Sequence, residues 1–422
     1  MTSVNTGRTD QHVVVIGAGI IGSCCAWNLR KSGFEVTVVD SVMPGQSTSY
    51  GNAGCLSTSH VTPFSYPGVT REIPGWLFDP SGPLFIRWSD FPALIPWFWK
   101  FWRAGTKKQF DWSTAAQARL MKQAIDDYDE ILSATRTDNL RNKRGAISIY
   151  DSRQEFDKEI WKYEIKEAMG FDWQILSQGE LNIMVPELDI GDGVAVYNSD
   201  WQFMVDPARL VSRIADACFS QGGHWLQDRV SSVESSQQGI SISTESGQRI
   251  HSDAVVVAAG AWSNQIAQQL DYKLPLTAKR GYHSMVGAPG IELGYPLLSM
   301  TRGFVMTPMT DGLRVAGTAE FAALDAEPDY TRAKLLLRQA QDYLPNLRCE
   351  NVSEWMGQRP MMADSIPVIS RSPAHKNVFY AFGHGHYGLT QGPTTGKIIT
   401  SLVAGQEPAI DIHDYRFARF RD

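Results

Sequence analysis

His12-Val13-Val14-Val15-Ile16-Gly17-Ala18-Gly19-Ile20-Ile21-Gly22 decides the fold. The apolar run His12–Ile16 has the length and β-branched content of a short buried strand. Three glycines at G-x-G-x-x-G spacing follow it and open the periodic stretch Ile20–Lys31, which reads as a helix stopped by Gly33. A second strand at 35–39 delivers Asp40, eighteen residues after Gly22. In a dinucleotide-binding βαβ unit the pyrophosphate sits on the helix N-terminus, and an acid at this distance meets the ribose hydroxyls. The glycines alone would also suit plain helix–strand packing, but strand, helix, second strand and acid together predict a Rossmann-type unit. Gly17, Gly19, Ile20, Ile21, Gly22, Asp40 and the adjacent Ser41 are therefore candidate cofactor-binding residues. Nothing in this segment separates FAD from NAD.

Nearly a whole chain later, Gly383-His384-Gly385-His386-Tyr387-Gly388-Leu389-Thr390 presents a related grammar. A strand at 377–382 leads into a loop that holds four glycines by Gly392, and Pro393 opens a helix at 394–403. The free amides at such a helix start suit a group that gains negative charge. The dipole contributes about 0.3–1 kcal/mol there, rising to roughly 2 when partly buried. If that group is the pyrimidine edge of an isoalloxazine, one ligand joins both ends of the chain, and the pair of turns predicts a flavin. An NAD-dependent dehydrogenase, the rival reading of the first turn, leaves the second turn without a purpose.

Bulk properties exclude little else. A chain of 422 residues with 43% hydrophobic content can bury two or three domains' cores. The formal charge of −6, with no dense basic stretch, gives no electrostatic case for nucleic acid. Five cysteines, Cys24, Cys25, Cys55, Cys218 and Cys349, show no C-x-x-C spacing, so neither a disulfide frame nor a metal site is indicated and a reducing compartment fits. Residues 1–11 are polar and lack the apolar stretch of a signal peptide, and no run of eighteen apolar residues occurs. These features predict a cytoplasmic protein. The stretch 76–102 adds a qualification: it carries ten aromatic residues, with Lys100, Arg103, Lys107 and Lys108 at its end. Internal packing is the favoured expectation, with Pro92 and Pro96 breaking any long amphipathic helix. Peripheral contact with the inner face of a membrane is the alternative.

The remaining pattern alternates. Helices at 115–135 and 153–169 read as domain covers. A helix Pro207–Ser220, a strand at 224–230 and short strands at 240–244 and 248–250 return toward the cofactor unit, and a buried strand at 253–258 runs into Ala259-Gly260-Ala261-Trp262-Ser263. There a glycine lets backbone approach a ligand, which adds Ala259, Gly260 and Trp262 as candidate contacts. Strands at 278–286, 303–308 and 313–317, the last two joined by Asp311-Gly312, read as antiparallel sheet, followed by a helix at 332–343. The expected fold is mixed α/β. A discontinuous Rossmann-type domain (10–60, 195–270, 350–415) interleaves with an antiparallel-sheet substrate domain (61–194, 271–349).

Gly17 to Gly22, Ser49-Tyr50-Gly51-Asn52-Ala53-Gly54, the 256–263 segment, Trp355-Met356-Gly357-Gln358-Arg359-Pro360 with Asp364 to Pro367, and Gly383 to Thr390 together resemble the FAD-dependent D-amino acid dehydrogenases of the D-amino acid oxidase and glycine oxidase superfamily. The resemblance spans the chain, and its last two motifs are the specific ones. It implies noncovalent FAD and oxidation of an amine alpha to a carboxylate, by hydride transfer from Cα to flavin N5, giving an imine that hydrolyses to a 2-oxo acid. It implies that Arg359 binds the substrate carboxylate, a role suited to a planar guanidinium with two parallel donors. It puts Ser47, Thr48, Ser49, Asn52, Ala53 and Gly54 beside the flavin, Val230 at the adenine, and Gly385, Gly388, Leu389 and Thr390 on the loop over the ring. Tyr282 and His283 fall on a strand expected to face substrate, with His386 and Tyr387 on that loop. His283 or His386 is a candidate acceptor of the ammonium proton, through water.

With no acidic pair for a basic side chain and a tryptophan-rich stretch available as a wall, a small neutral D-amino acid fits best, including D-proline or its hydroxylated form. Glycine or sarcosine oxidation with O2 and a silent FAD-binding subunit are the alternatives. A quinone is the expected acceptor, and a homo-oligomer is left open.

Overall fold

The computed structural model describes residues 11–78, 82 and 84–420. The polar start read for residues 1–11 lies almost wholly outside that set, as do the side chains of Trp76 and Phe78. The first sheet is built as the opening stretch dictates. His12–Ile16 pairs in parallel with Glu35–Asp40 on one side and Ala254–Val257 on the other. The full order is His224–Gln227, Glu35–Asp40, His12–Ile16, Ala254–Val257, Val378–Phe382 and Val368–Arg371, the last strand antiparallel. Side chains alternate across it: Val13 and Val15 enter one core with the helices Ile20–Lys31, Pro207–Ser220 and Gly388–Val403, while Val14 and Ile16 enter another with Ile240, Ile242 and Ile266. A strand covered on both faces has no polar side to show, which is why it reads as a continuous apolar run.

The two distant glycine turns are brought together by their helices. Cβ atoms at Gly392 and Gly396 would meet Ile20 Cγ1 at 2.9 Å and the Cys24 carbonyl oxygen at 2.6 Å, so the late helix lies directly on the first one.

A second, nine-stranded sheet runs Glu350–Met362, Leu276–Ala288, Gly312–Phe321, Phe304–Met309, Leu297–Ser299, Ala146–Tyr150, Val194–Asn198, Gln174–Ile175, with Leu84–Ile86 beside Gly312–Phe321. It is largely antiparallel, but Leu297–Ser299 with Ala146–Tyr150 and Leu84–Ile86 with Gly312–Phe321 are parallel pairs. Val194–Asn198 and Glu350–Met362 belong to this sheet, although the sequence grouped both stretches with the cofactor unit. The second is a bridge: its far end meets the late loop through a Met361–His384 bridge and a Gly385 N–H to Pro360 carbonyl bond of 2.8 Å.

Several boundaries differ from expectation for identifiable reasons. The final helix begins at Gly388, six residues before the expected start, with Pro393 inside it. Proline cannot donate to the carbonyl four residues earlier; that carbonyl, of Leu389, accepts from Tyr128 Oη at 2.5 Å instead. The helix expected from 115 begins at Lys107, where the Thr106 side chain caps Gln109 N–H. The strand expected at 224–230 stops at Gln227, and Val230 opens a separate three-stranded meander.

Pro96 does not break the aromatic stretch: Phe91–Ala104 is one helix. Its inner face, Leu94, Trp97 and Phe101, packs into a core with Phe321. Trp88, Ile95, Trp99 and Trp102 remain 65, 51, 58 and 52% exposed. Packing therefore accounts for one face of this helix and not for the other. No helix among the described residues is long and apolar enough to cross a membrane.

Candidate active site

The first glycine turn lies at one end of a cavity of about 390 Å³. Gly17 holds φ +110°, and a Cβ there would meet the Ala258 carbonyl oxygen at 2.4 Å; one at Gly22 would fall 1.8 Å from the Gly17 carbonyl oxygen. Only glycines let this turn close against the strand ends. Asp40 Oδ2 accepts from Ala18 N–H at 2.7 Å and Oδ1 from Val42 N–H at 3.3 Å, so the acid is held at the turn. Ser49 Oγ accepts from Ile20 N–H at 3.0 Å, which ties the 47–54 loop to the helix start.

Of the cofactor candidates, Gly17, Gly19, Ile20, Ile21, Asp40, Ser41, Ser47, Thr48, Ser49, Asn52, Val230, Ala259, Gly260, Trp262, Gly385, Gly388 and Leu389 line this cavity. Ala53 lines the neighbouring one. Gly22, Gly54 and Thr390 line neither: Gly22 buttresses the turn, Gly54 abuts the Met204 carbonyl, and Thr390 Oγ1 accepts from Ser57 N–H at 3.2 Å. The lining joins the first glycine turn, Asp40, Val230 and the late loop in one cavity. Gly260 and Gly385 both have positive φ, and a Cβ on either would meet no atom within 4 Å, only the space a ligand would fill.

Thr48, Asn52 and Gly385 also line a second cavity of about 300 Å³. Its floor is made of positions without side chains. The Trp355 ring lies over Gly51 and Gly357, and the Arg359 guanidinium lies over Gly281, each so close that a Cβ would fall 2.0 Å from it. Arg359 Nη1 donates to Thr318 O at 2.8 Å and Nη2 to Gly317 O at 3.4 Å. Neither partner carries a charge. No Asp or Glu among the described residues lines this cavity, and burial alone pulls the guanidinium down to about 10, still a cation at neutral pH. Three of its five N–H donors are left for a ligand.

The remaining catalytic candidates divide. Residues alternate along a strand, so Tyr282 points away from Arg359: its hydroxyl donates to Glu320 Oε2 at 2.5 Å and accepts from Asp329 N–H at 3.0 Å, beside Arg280. Although Tyr282 borders the cavity, its polar end is committed on the opposite face. His283 does face the Arg359 side but lies behind Trp355, stacked at 5.1 Å, with Nδ1 3.3 Å from Gly51 O, and it does not line the cavity. Burial, and then the charge of Arg314, holds it down at about 3.

His386 lines the cavity and stands exposed, its ring edge-on to Phe64 at 4.7 Å; desolvation, and then the charges of Lys279 and Arg359, hold it well below the ordinary imidazole range. Tyr387 packs against His60, and its hydroxyl has no hydrogen-bond partner among the described residues. His60 lines the same wall and is held at about 3 by burial and by Lys166. All these imidazoles are therefore neutral at physiological pH.

Sequence reasoning missed His60, Trp201, Thr318 and Trp355 on this wall and His384 on the first cavity. Trp355 and Gly357 could have been found, since they share Arg359's face by the two-residue period of a strand. His60 and Trp201 come together only through tertiary packing, at 6.2 Å between ring centroids.

Comparison with known proteins agrees with this geometry. The sequence profile of the family described as DAO, FAD dependent oxidoreductase, matches residues 12–402. A D-amino-acid oxidase of Bradyrhizobium diazoefficiens is 32% identical over 419 residues, covering 97% of this chain and 99% of that one. A D-amino acid dehydrogenase of Paramagnetospirillum magneticum is 29% identical over 419 residues, covering 97% and 98%. Among solved structures, a glycine oxidase from Geobacillus kaustophilus superposes with a TM-score of 0.75 at 22% identity, covering 97% of this chain and 99% of that one.

Proposed function

Because the chain belongs to the DAO family of FAD-dependent oxidoreductases, we propose that it oxidises a small neutral D-amino acid at Cα, yielding an imine that hydrolyses to a 2-oxo acid. The observation that carries this reading is Arg359: a cation without a carboxylate partner, on the wall of a small cavity that shares Thr48, Asn52 and Gly385 with the dinucleotide cavity. A part-buried charge without a carboxylate partner among the described residues is costly, and an incoming carboxylate offsets that cost.

The Gly17–Gly22 turn would hold the pyrophosphate, Asp40 the ribose, Val230 the adenine end, and Gly260, Gly385 and Leu389 the remainder. FAD, when bound, supplies the acceptor for the Cα hydride. The chain's own contribution is positional. Arg359 fixes the carboxylate and thereby the Cα hydrogen, while Trp201, Trp355, Met300 and Phe304 shape an apolar wall. Positioning of this kind can supply several kcal/mol of barrier reduction. The absence of acids from the cavity disfavours a cationic side chain, and the volume suits a small or cyclic one such as D-proline or its hydroxylated form.

The test is anaerobic bleaching of the flavin across D- and L-amino acids, glycine and sarcosine. The expected result is fastest bleaching by a small neutral D-amino acid. Preference for glycine or sarcosine would assign a different amine, and no bleaching at all would leave a silent flavin-binding subunit.

A quinone is the acceptor we propose, and the outer face of the Phe91–Ala104 helix supports it. Ile95, Trp99 and Trp102 stand exposed beside Lys100 and Arg103, with no acid on that face. Exposed indoles next to cations suit the headgroup layer of an anionic bilayer, where a quinone is available. All five cysteines are free, which supports a reducing, cytoplasmic setting. The protein is expected to co-sediment with phosphatidylglycerol vesicles and far less with phosphatidylcholine. Trp99→Ser with Trp102→Ser should abolish sedimentation without changing the bleaching rate. Equal binding to both lipids would remove the charge argument.

A further inference from the structure

Lys279 is a basic group with no part in holding the carboxylate or the dinucleotide. It pairs directly with Arg359 across the strands Leu276–Ala288 and Glu350–Met362, so both side chains stand on one face of the sheet, Arg359 lining the smaller cavity and Lys279 lying beside it, in the lining of neither cavity. It is 6% exposed. Its Nζ lies 4.1 Å from the centroid of Phe64, and that ring meets His386 edge-on at 4.7 Å. No carboxylate among the described residues acts on either cation. Glu320, the acid nearest in sequence on the neighbouring strand, faces the other side and is taken by Arg280 and Tyr282.

The groups that face Lys279 are few. The adjacent strand brings Arg359, the late loop brings His386 with His60 behind it, and the Phe91–Ala104 helix brings only apolar side chains, Trp97 and Phe101, into the core on this side. Two cationic groups thus share one desolvated place, and at neutral pH the guanidinium, even pulled down to about 10, keeps its proton. The amine is the partner that yields. Burial, and next the charge of Arg359, hold Lys279 well below the ordinary lysine range.

A carboxylate docked on Arg359 cancels the repulsion and favours an ammonium beside it. We propose that Lys279 takes up the proton that the substrate's ammonium group loses when its carboxylate docks on Arg359. The bond broken is a substrate N–H and the bond formed is Nζ–H. The proton stays inside the site, and the substrate nitrogen keeps the lone pair that oxidation at Cα requires. The neutral imidazoles nearby, His386 and His60, are too weakly basic to keep it. This inference rests on the assignment of Arg359 to the carboxylate.

The probe is propionate, which has the carboxylate and no amine to donate a proton. It is added to the FAD-loaded enzyme and followed by titration calorimetry in buffers of different ionisation heat. Anion binding favours the protonated lysine, so affinity is full below the free-state range of Lys279. It falls about tenfold per pH unit as the pH rises through that range, with uptake of about one proton per propionate. Lys279→Met should bind propionate weakly with no pH slope and no uptake. Lys279→Arg, permanently charged, should bind it without slope or uptake. Uptake that persists in both variants, or wild-type binding without uptake between about pH 6 and 10, overturns the proposal. Failure of the underlying reading looks different: Arg359→Met would then keep its propionate affinity.

Discussion

Replacing Arg359 with methionine is expected to lower kcat/KM by about thirtyfold to several thousandfold, the equivalent of roughly 2–5 kcal/mol for truncating one member of a desolvated charge pair. FAD content should not change, because Arg359 lines only the smaller cavity. Thermal stability should hold or rise. The guanidinium is bonded to two uncharged carbonyls, of Thr318 and Gly317, and no carboxylate among the described residues lies beside it. Such a charge disfavours the folded state until a substrate arrives, and an apolar side chain of similar length relieves that cost. Steady-state kinetics with the best substrate of the bleaching panel, flavin absorbance and a melting curve check the three parts together. A melting temperature several degrees lower with kinetics little changed would make Arg359 a structural residue and remove the carboxylate assignment.

The same residues show how far the amino-acid order could be read. The Val13–Ile16 run and the Gly17–Gly22 turn carry their meaning locally: buried strand, tight turn and helix start are all specified within a dozen residues. The late turn was legible as a ligand-facing helix entry, but its exact start was not. Pro393 sits inside that helix, and the carbonyl it leaves free is bonded by Tyr128, 261 residues from Leu389 in sequence. Faces of the long strands followed a similar division. Alternation says that Lys279 and His283 share a side and that Tyr282 takes the other. Which side meets Arg359 depends on the pairing of Lys279 with Arg359, and that register is a property of the assembled sheet. The aromatic helix was half legible for the same reason, since composition cannot tell Trp97, packed 5.2 Å from Phe321, from its exposed neighbour Trp99. The want of any acid among the described residues near Lys279 and Arg359 lay beyond reach altogether, because an ion pair is closed or left open by residues remote in the chain.

Gly281→Ala offers the sharpest check on the floor of the cavity. The added Cβ would fall 2.0 Å from Cζ and Nη2 of Arg359 and 2.3 Å from Nη1, so the guanidinium has to leave its place. The backbone itself has no objection: Gly281 lies within a strand and is not among the residues of positive φ. Alanine there should therefore keep the fold, with roughly 0.4–1 kcal/mol gained from a less flexible unfolded chain. Activity should not survive so well. A displacement of about 1 Å in a positioning group can cost on the order of a hundredfold in rate, and here the group displaced is the one that sets the substrate's orientation. We expect kcat/KM to fall about a hundredfold with FAD retained, through both a higher KM and a lower kcat. The double variant Arg359→Met with Gly281→Ala separates this from a general disturbance of the strand. Once the guanidinium is gone the new methyl has nothing charged to displace, so the pair should be no slower than Arg359→Met alone, a non-additivity of roughly 2–3 kcal/mol between neighbours in contact. Losses that multiply instead would mean that Gly281 serves the site by some other route than making room for Arg359.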